Sequence, residues 1–550
     1  MPIQTISKQE GKKILGNLSD EDLDYKLNLA ELGVERISDE EIDLEITPNR
    51  PDLLSTPGLI RYLQSYFKKS ENISYSTEKP EKDYKVMIEK SVKKVRPCTV
   101  CAIIKNLQFT DEKIMEIIDI QEKLHGSYGR NRKKLAIGIY PLEKITLPIT
   151  YLALPPEEIK FQPLEFPREI NGRQILSQHP TGREYAHLLK DAEVFPIFRD
   201  ALGEILSMPP IINSEKTGKI TEQTKDIFIE CSGFHKEYLQ KTLNIIVTAL
   251  ADMGGKIYAM EIQDKTDKNA ISPNLQPEEM KFSSENLNRI LGLELTEKEI
   301  KTNLEKMGIT TNKDTALIPP YRTDILHEVD LAEEVAIAYG YENFQSEIPK
   351  ISTIGQENPL EIKKRKLQEI LIGLNLLEIS TYHLSTKEVQ FKKIGIKEFL
   401  NQIIEVQDSK TENNILRTSL LSQSIKILSE NSDASYPQKI FEIGKVFNHD
   451  ENSETGIKEQ TNLSISLCYE KANFTEIKQI LDYLTRMLDI KYEIQETSHP
   501  SFIEGRCGKI IINKEPVGIL GEISPTVLKN NKIKMPIVSL EMNVEEFHPK

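Results

Sequence analysis

The sequence predicts a multidomain α+β protein, and three observations support this fold class. The chain has 550 residues, more than a single hydrophobic core usually organises, so several domains are expected. Residues 6–35 are similar to residues 282–310, and each segment reads as two short helices, with Gly33 and Gly308 at the expected left-handed helix ends. Elsewhere, β-branched runs and Pro- or Gly-containing turns alternate with helical stretches.

The repeat predicts one small α+β domain that occurs in two copies. An offset of 272 residues pairs Arg50 with Arg322 and Asp52 with Asp324, so the similarity extends beyond the paired helices. The first copy lies in roughly the first 70 residues, and the second lies at 275–345.

A mixed domain of strands and helices is predicted between the two copies. Its main predicted elements are strands at 99–104, 135–140 and 226–230 and a helix at 236–253. Polar stretches rich in lysine and glutamate, or containing prolines, flank this domain at 72–90 and 265–278 and are interpreted as linkers.

The last 200 residues predict a further domain of strands and helices. A helix is expected at 358–374, and the segments that follow it predict strands at 439–447, 462–469 and 509–520 and a helix at 476–488.

Composition excludes several classes of protein. The net charge of −14 argues against a protein that coats nucleic acid non-specifically, although a local basic patch remains compatible with it. No apolar run is long enough to cross a bilayer, and the first residues lack a signal peptide, so a cytoplasmic protein without membrane contact is expected. The five cysteines suggest no disulfide framework, and Cys98 and Cys101 lie on a predicted strand, which favours core cysteines over a redox or zinc site.

An acidic cluster marks the second copy of the repeat. Asp330, Glu333 and Glu334 have the spacing that places three carboxylates on one side of a helix, and Asp324 precedes them closely enough to fold back. Four hard oxygen donors suit Mg²⁺. The alternative is an acidic first helical turn that complements the helix dipole.

The first copy of the repeat bears on these alternatives. At the same offset it retains Asp52, but Gly58, Arg61 and Tyr62 stand where the second copy has its other three acids. The fold therefore does not require the acids, which favours a separate reason for them in the second copy.

A second group of polar residues predicts a ligand pocket. Ser207 and Asn213 bound a proline-fixed loop, and Glu230 and Ser232 follow the apolar strand residues 227–229. Polar groups at a strand end and on a rigid loop are well placed to meet a substrate. Capping and turn formation are the alternative roles for such residues.

A basic stretch follows a glycine-bounded segment. Arg130, Arg132, Lys133 and Lys134 come directly after residues 126–129. A flexible loop of this kind could contact nucleic-acid phosphates, and a solvated run of charges is the alternative.

Six segments together carry a resemblance that spans nearly the whole chain. They are EITPNRPDLLS (45–55), LAIGIYPLEKITLPITY (135–151), HPTGREYAHLL (179–189), EILSMPPIINSEKTGKIT (204–221), YRTDILHEVDLAEEVAIAYGYENF (321–344) and HPSFIEGR (499–506). In this order they resemble the beta subunits of phenylalanyl-tRNA synthetases of the archaeal and eukaryotic type.

The resemblance implies a domain plan. It comprises an N-terminal α+β domain with a linker at 1–90, an editing-like domain at 91–270, a metal-associated domain at 271–350 and a degenerate class II synthetase-like antiparallel module at 351–550. The last module reads Phe441-Glu-Ile-Gly444 where an activating module has an arginine-containing motif, and no arginine follows Arg506. A non-activating subunit is expected.

The resemblance also implies function. Ser207, Asn213, Glu230 and Ser232 would line an editing site for Tyr-tRNA(Phe), with Ser232 and Pro141 as departures from the residues common in the family. The acids at 324–334 would hold Mg²⁺. The partners would be tRNA(Phe) and an ATP-binding alpha subunit in an α2β2 assembly. A purely structural, tRNA-positioning subunit and a free-standing aminoacyl-tRNA deacylase are the alternatives.

Overall fold

The computed structural model of the chain describes residues 2–68, 74–265, 269–351, 354–397 and 403–545. The chain divides into two units, Met1–Ile348 and Pro349–Lys550, and each unit is described by itself. No helix within the described ranges is both long and apolar enough to cross a membrane.

The first unit begins with the first copy of the repeat. Its elements are β1 (Ile3–Ser7), α1 (Lys8–Leu15), α2 (Asp20–Leu29), β2 (Gly33–Ile37), β3 (Glu41–Glu45) and α3 (Thr56–Lys68). Ser7 and Ser19 cap the first two helices by accepting a backbone N–H bond three residues later. The strands form an antiparallel sheet in the order β1-β3-β2.

A ten-stranded sheet forms the middle of this unit. The elements of this middle part, within the sheet and around it, are β4 (Lys85–Ile88), β5 (Cys98–Lys105), α4 (Asp111–Gly126), β6 (Leu135–Pro141), β7 (Ile149–Leu154), β8 (Lys160–Phe161), β9 (Ile170–Asn171), α5 (Gly172–Gln178), α6 (Pro180–Tyr185), β10 (Phe195–Arg199), β11 (Ile205–Met208), β12 (Ile212–Asn213), α7 (Glu215–Gly218), β13 (Ile227–Gly233), α8 (Lys236–Asp252), β14 (Lys256–Asp264) and β15 (Ala270–Ser272).

The order of this sheet is β12-β11-β10-β7-β4-β14-β5-β13-β6, with β15 paired to β14, while β8 and β9 form a separate ribbon. Strand β13 is antiparallel to both of its neighbours, so that Glu230 lies opposite Cys101 on β5 and Gly138 on β6. Strand β6 is an edge, and α4 covers it. The predicted strands at 99–104, 135–140 and 226–230 and the helix at 236–253 are confirmed as β5, β6, β13 and α8.

The interpretation of residues 72–90 as a linker is wrong for its last part. Lys85–Ile88 form β4, which pairs in parallel with β14 and β7 inside the large sheet. A strand of four residues is too short for the alternation of apolar and polar side chains to stand out within a segment rich in lysine and glutamate. The second expected linker, 265–278, likewise contains β15. Residues 72–73 and 266–268 lie outside the described ranges.

The second copy of the repeat has the same order of elements as the first. It comprises β16 (Glu278–Lys281), α9 (Ser284–Leu291), α10 (Glu297–Lys306), β17 (Thr310–Asn312), β18 (Thr315–Ile318) and α11 (Glu328–Tyr339). Its sheet order is β16-β18-β17, the counterpart of β1-β3-β2.

The helix ends of the two copies differ in one respect from expectation. Gly308 is left-handed, with φ of 76°, as expected. In the first copy, however, the left-handed residue is Glu31, with φ of 58°, and Gly33 already begins β2. A glutamate thus takes a conformation that normally favours glycine.

Two buried arginines lie where the copies of the repeat meet. Arg50 donates from Nε and Nη2 to the two oxygens of Asp52 at 3.0 and 2.9 Å. Arg322 makes the same fork to Asp324 at 2.9 and 2.8 Å. The Thr323 hydroxyl donates to the Asn49 carbonyl oxygen at 3.1 Å and joins the two copies.

The two arginines differ in their second partner. The Arg50 guanidinium lies 4.7 Å from the centre of the Tyr62 ring. At the equivalent position of the second copy Glu334 accepts two bonds from Arg322, from Nη1 at 3.0 Å and from Nη2 at 2.6 Å. The same location therefore holds a ring in one copy and a carboxylate in the other.

The second unit is built on a seven-stranded sheet, and its first elements are α12 (Pro359–Gly373), β19 (Leu377–Glu378), β20 (Leu384–Ser385), β21 (Ile415–Leu416), α13 (Leu421–Glu430), β22 (Gln438–His449) and β23 (Ile457–Cys468). They are followed by α14 (Phe474–Met487), β24 (Tyr492–Glu496), β25 (Phe502–Ile512), β26 (Glu515–Ile523), α15 (Pro525–Asn530) and β27 (Ile537–Asn543). The order is β19-β22-β23-β27-β26-β25-β24, antiparallel except for β19 on β22.

One predicted strand of this unit is wrong. The expected strand at 509–520 is a hairpin, because Asn513 and Lys514 form a two-residue turn between β25 and β26 with φ of 53° and 70°. Two consecutive left-handed residues are typical of a type I′ turn, which usually carries glycine in second place. Lysine at position 514 therefore does not indicate this turn in the sequence. The helices at 358–374 and 476–488 are confirmed as α12 and α14.

Arg322→Leu should destabilise the first unit by about 3–5 kcal/mol, because it leaves Glu334 buried without a counter-charge and removes the two hydrogen bonds that Asp324 accepts. The midpoint of urea unfolding measures this effect. Arg36→Leu is the matched control, because it removes an arginine whose ion pair with Asp43 is exposed on the arginine side.

The triple variant Arg322→Leu/Asp324→Leu/Glu334→Leu removes the charges together and should recover a large part of the loss. Equal midpoints for Arg322→Leu and Arg36→Leu would contradict a structural role for the buried pair.

Candidate functional site

A cavity of about 460 Å³ opens beside the edge strand β6 of the first unit. Its walls come from α4, β6, the segment from β11 to α7, and β13. The polar side chains that line it include Gln121, Glu122, His125, Arg132, Ser207, Asn213 and Glu230. Apolar side chains from α4, β6 and the loop at 209–212 also line it. A volume of this size accommodates a small organic group with a few directional polar contacts.

Four polar groups meet at the inner end of this cavity. The Tyr140 hydroxyl donates to Ser207 Oγ at 2.8 Å and lies 3.3 Å from both Asn213 Oδ1 and Glu230 Oε1. Ser207 also pairs with Asn213 in the β11–β12 register. The structure therefore brings three of the predicted pocket residues together, and it adds Tyr140, which the sequence did not indicate.

Close approach of these groups depends on a glycine. Gly138 faces Glu230 across the β6–β13 pair. A Cβ atom at position 138 would lie 2.2 Å from the Tyr140 hydroxyl and 2.6 Å from Glu230 Oε1. Any side chain at this position would displace the cluster.

Glu230 is buried, with 1% of its surface exposed. Burial raises its pKa to about 8, although the Arg96 guanidinium and the hydroxyls of Tyr140 and Ser232 act in the opposite direction. Its Oε2 atom has no hydrogen-bond partner among the described residues. At neutral pH Glu230 is therefore mainly a carboxylic acid, and one of its two oxygens is buried without a hydrogen-bond partner among the described residues.

Ser232 has a different role from the one expected. Its side chain is fully buried and it is absent from the lining of the cavity. Its hydroxyl accepts from Arg96 Nε at 3.3 Å, and its carbonyl oxygen accepts from Arg96 Nη2 at 2.7 Å. Ser232 thus holds Arg96 beside Glu230 instead of facing a ligand. Pro141, the other departure, ends β6 opposite Ile227.

His125 fixes α4 against the exposed edge of β6. Its Nε2 accepts from the Ile137 N–H at 2.8 Å, so Nδ1 carries the proton and faces Glu122 Oε1 at 3.2 Å. Burial lowers its pKa. Both ring nitrogens are therefore occupied in holding the wall of the cavity.

Arg132 is turned towards the cavity and away from solvent. Its Nη1 donates to the Ile211 carbonyl oxygen at 2.9 Å, and its Nη2 donates to Glu122 Oε1 at 2.9 Å. Its guanidinium lies 4.4 Å from the centre of the Tyr185 ring. Arg132 thus fixes the loop that carries Ser207 and Asn213. The expected contact of Arg132 with a nucleic-acid phosphate stays a prediction.

The inward turn of Arg132 follows from the backbone. Arg130, Asn131 and Arg132 are three consecutive left-handed residues, with φ of 49°, 53° and 62°. This turn leaves Arg130 and Lys133 exposed, and Lys134 lies half-buried. Three of the four basic residues therefore remain at the surface, as the phosphate-contact and solvated-charge interpretations both require.

The carboxylates predicted to bind magnesium are already engaged. Asp324 and Glu334 accept the bonds from Arg322 described above. Asp330 accepts from two backbone N–H groups at the start of α11, both at 2.7 Å, as a helix cap does. Among the described residues no three potential ligands come together in a way that would hold a metal ion.

This arrangement does not fit a magnesium ion held by all four acids, because an arginine neutralises two of them and a helix end uses a third. Glu333 is exposed. Its charge and that of Glu334 add to burial in raising the pKa of Glu31. The magnesium site stays a prediction. Cys101 is buried within the sheet, and Cys98 is half-buried, as expected of core cysteines.

The second unit uses its buried arginine internally. Arg417 donates to Glu442 Oε1 and to Thr381 Oγ1, both at 2.7 Å. Its Nε donates to the Lys445 carbonyl oxygen at 2.7 Å. A Cβ atom at Gly444 would lie 2.4 Å from Arg417 Nη2. The Phe441–Gly444 segment is thus shaped around a structural ion pair.

Two segments match known families. Residues 280–341 match the tRNA synthetase B5 domain, and residues 344–544 match the phenylalanyl tRNA synthetase beta chain CLM domain. The whole chain is similar to the phenylalanine–tRNA ligase beta subunit of Archaeoglobus fulgidus, with 36% identity over 554 residues covering 100% of this chain and 99% of that one. The beta subunit of Methanocaldococcus jannaschii is 39% identical, with coverage of 99% and 100%.

A solved structure is similar to the first part of the chain. It is the crystal structure of an N-terminal fragment of the phenylalanyl-tRNA synthetase beta-subunit from Pyrococcus horikoshii. The TM-score is 0.58 at 34% sequence identity, and the match covers 62% of this chain and 99% of that fragment.

The buried acid generates a prediction about pH and stability. The folded chain keeps a proton on Glu230 up to a pKa of about 8, whereas the ordinary value is 4.5. Unfolding therefore releases a proton between these values, and the free energy of unfolding falls as pH rises through this window. Glu230→Gln removes that loss, so its stability relative to the parent should rise by roughly 3–5 kcal/mol from pH 4.5 to 8.

Urea midpoints measured across this pH range test the prediction. The exposed substitution Glu222→Gln is the control and should give a flat difference. A flat difference for Glu230→Gln would show that the carboxyl ionises normally.

Proposed function

The chain belongs to the family of phenylalanine–tRNA ligase beta subunits, and we propose that it is the non-activating partner of an alpha subunit and hydrolyses Tyr-tRNA(Phe) in its middle domain. The observation that carries the proposal is the buried carboxyl group of Glu230, which lines a cavity together with Ser207 and Asn213 and has one oxygen without a hydrogen-bond partner among the described residues. A buried polar group without a partner is costly unless a ligand satisfies it.

The chemistry of the cavity favours a tyrosyl group over a phenylalanyl group. A phenol both donates and accepts a hydrogen bond, so it can pair with the protonated Oε2 of Glu230. Phenylalanine would leave that group unpaired. A site that hydrogen-bonds a hydroxyl discriminates strongly against the analogue without it, whereas an apolar pocket rejects an added hydroxyl only weakly. Removal of tyrosine after attachment is therefore the step that such a cavity serves.

Hydrolysis of the ester needs little activation. A water oxygen attacks the ester carbonyl carbon, the bond to the ribose oxygen breaks, and that oxygen takes up the proton that the water loses. The side chains bind the tyrosyl group and orient the ester, and positioning of this kind supplies a large part of the rate for such a reaction. Arg96, Arg132 and His125 keep the walls of the cavity in place.

The proposal for amino-acid activation rests on the second unit. Activation requires arginines that are free to bind ATP phosphates. Arg417 is buried and directs its Nε and Nη1 donors to Glu442, Thr381 and a backbone carbonyl group. ATP would then be bound by the alpha subunit, in the α2β2 assembly that the family implies, and tRNA(Phe) would be shared by the complex.

A purely structural and tRNA-positioning subunit is the second candidate. One observation favours it: the Tyr140 hydroxyl already contacts Ser207, Asn213 and Glu230, where an incoming phenol would bind. Under the first candidate Tyr140 is the neighbour that orients these groups, and Glu230 Oε2 is the atom left for the substrate.

Glu230→Ala should slow hydrolysis of preformed Tyr-tRNA(Phe) by about tenfold or more, because the hydroxyl loses its buried partner. Charging with phenylalanine by the complex should stay near that of the parent. Deacylation by complexes purified with the alpha subunit measures the effect, and Glu222→Ala is the control. A parent complex that does not hydrolyse Tyr-tRNA(Phe) would favour the structural candidate, and equal rates for parent and Glu230→Ala would place the site elsewhere.

The chain alone should not catalyse phenylalanine-dependent exchange of pyrophosphate into ATP, because its buried arginine is not available to phosphates. Addition of the alpha subunit should produce exchange. Exchange by the purified chain alone, at a rate that survives repeated purification, would contradict the assignment as the non-activating subunit.

A further inference from the structure

The Tyr140 side chain lies behind the cavity and is absent from its lining. It is fully buried, and its ring packs against that of Phe228 with centroids 5.8 Å apart. Its hydroxyl group nevertheless contacts three residues that do line the cavity, namely Ser207, Asn213 and Glu230. Burial raises the pKa of this phenol well above its usual value, so the hydroxyl keeps its proton throughout the physiological range.

The Tyr140 hydroxyl has a single proton to share among these three neighbours. Ser207 Oγ lies 2.8 Å from the phenol oxygen, whereas Asn213 Oδ1 and Glu230 Oε1 both lie at 3.3 Å. Because O–H···O bonds are normally about 2.7–2.8 Å long, the proton is directed to Ser207. The distances therefore make Ser207 the acceptor of the strongest of the three contacts.

A serine oxygen that accepts a proton in this way retains its own proton for another partner. The one side-chain hydrogen bond of Ser207 within the described part of the chain is the bond that it accepts from Tyr140. Ser207 lines the cavity, so its remaining proton is left for a group that enters there.

We propose that Tyr140 is a positioning residue for the selectivity of the cavity: by donating to Ser207 Oγ, it keeps the Ser207 proton directed at the ligand, where a phenol oxygen accepts it. The inference rests on the proposed function and deepens it by naming a residue that sets the preference for a tyrosyl over a phenylalanyl group. Tyr140 touches no atom of the substrate and acts through Ser207.

The direction of the Ser207 proton matters because a tyrosyl and a phenylalanyl group differ only in the phenol oxygen. That oxygen accepts the Ser207 proton, and a phenylalanyl group leaves the same donor unpaired. A serine hydroxyl rotates to suit its neighbours. Without the Tyr140 hydroxyl, the Ser207 proton is free to turn towards other oxygens of the cluster, and the ligand loses a donor.

The test uses two ligands that cannot be hydrolysed, tyrosyl- and phenylalanyl-adenosine with an amide in place of the ester. Isothermal titration calorimetry with the full-length chain gives the ratio of the two Kd values, which measures selectivity. The parent should bind the tyrosyl ligand more tightly, and Tyr140→Phe should lower the ratio by about threefold to tenfold, the effect of one hydrogen bond. A merely structural defect weakens both ligands alike and leaves the ratio unchanged.

A double-mutant cycle tests whether Tyr140 acts through Ser207. Ser207→Ala should lower the ratio by a similar factor, and adding Tyr140→Phe should lower it no further, because the proton that Tyr140 directs is already absent. Ser207→Ala also tests the inference by itself if Tyr140→Phe does not fold. Tyr62→Phe is the matched control: it removes a buried tyrosine hydroxyl that donates to the Ala30 carbonyl oxygen at 2.9 Å, and it should leave the ratio unchanged.

The inference is overturned if the parent binds neither ligand or binds both equally, if Tyr140→Phe or Ser207→Ala keeps the parental ratio, or if the two substitutions lower the ratio independently. Because the ligands carry no ester, the assay is independent of hydrolysis. A parent that selects the tyrosyl ligand but leaves Tyr-tRNA(Phe) intact refutes the proposed function alone. A parent that hydrolyses Tyr-tRNA(Phe), with an unchanged ratio in Tyr140→Phe, refutes this inference alone.

Discussion

The buried fork between an arginine and the aspartate two residues later is the interaction on which the first unit depends. It occurs twice, as Arg50–Asp52 and Arg322–Asp324, and the two forks approach each other where the copies of the repeat meet. A planar guanidinium that binds a carboxylate through two parallel bonds fixes both distance and orientation. The helices and sheets of both copies share one hydrophobic core with α8 of the middle domain, so the forks lie within the same packed unit as the large sheet.

The buried acid of the cavity, Glu230, lacks such a direct arginine partner. At the repeat interface each buried acid has an arginine in direct contact, and the pKa of Asp324 is lowered by Arg322 despite its burial. Arg96 reaches Ser232 instead of Glu230, so burial dominates and the pKa of Glu230 rises to about 8. Replacing a direct ion pair with a nearby charge converts a structural carboxylate into a neutral hydrogen-bonding group. That difference is the physical basis for treating one cluster as framework and the other as a site.

The sequence could predict features that repeat along the chain, and it failed where partners come from distant segments. The offset that pairs Arg50 with Arg322 was visible in the residues, as were β5, β6, β13 and α8, because periodicity and the order of letters are local properties. Gly138 and Tyr140 could not be recognised as neighbours of Glu230, since that requires the register of β6 on β13. The sequence predicted that Arg132 contacts phosphate. The residues around it do not reveal that three consecutive left-handed residues turn its side chain inward. The magnesium ligands stay predictions. Their sequence spacing did not indicate that Arg322 binds two of them, Asp324 and Glu334.

The facing arrangement of the two copies has a consequence for synthesis of the chain on the ribosome. The first copy presents Tyr66 to the Ile337 carbonyl oxygen and Ser65 to that of Glu305, so part of its surface is completed only by the second copy, about 270 residues later. At translation speeds of about 5–20 residues per second, this interval is roughly 15–50 s. During that time Arg50 and Asp52 can form their own fork, but the apolar side chains that face the second copy have no partner. The apolar surface of the nascent first copy therefore stays exposed until the second copy, which ends near residue 340, has been synthesised.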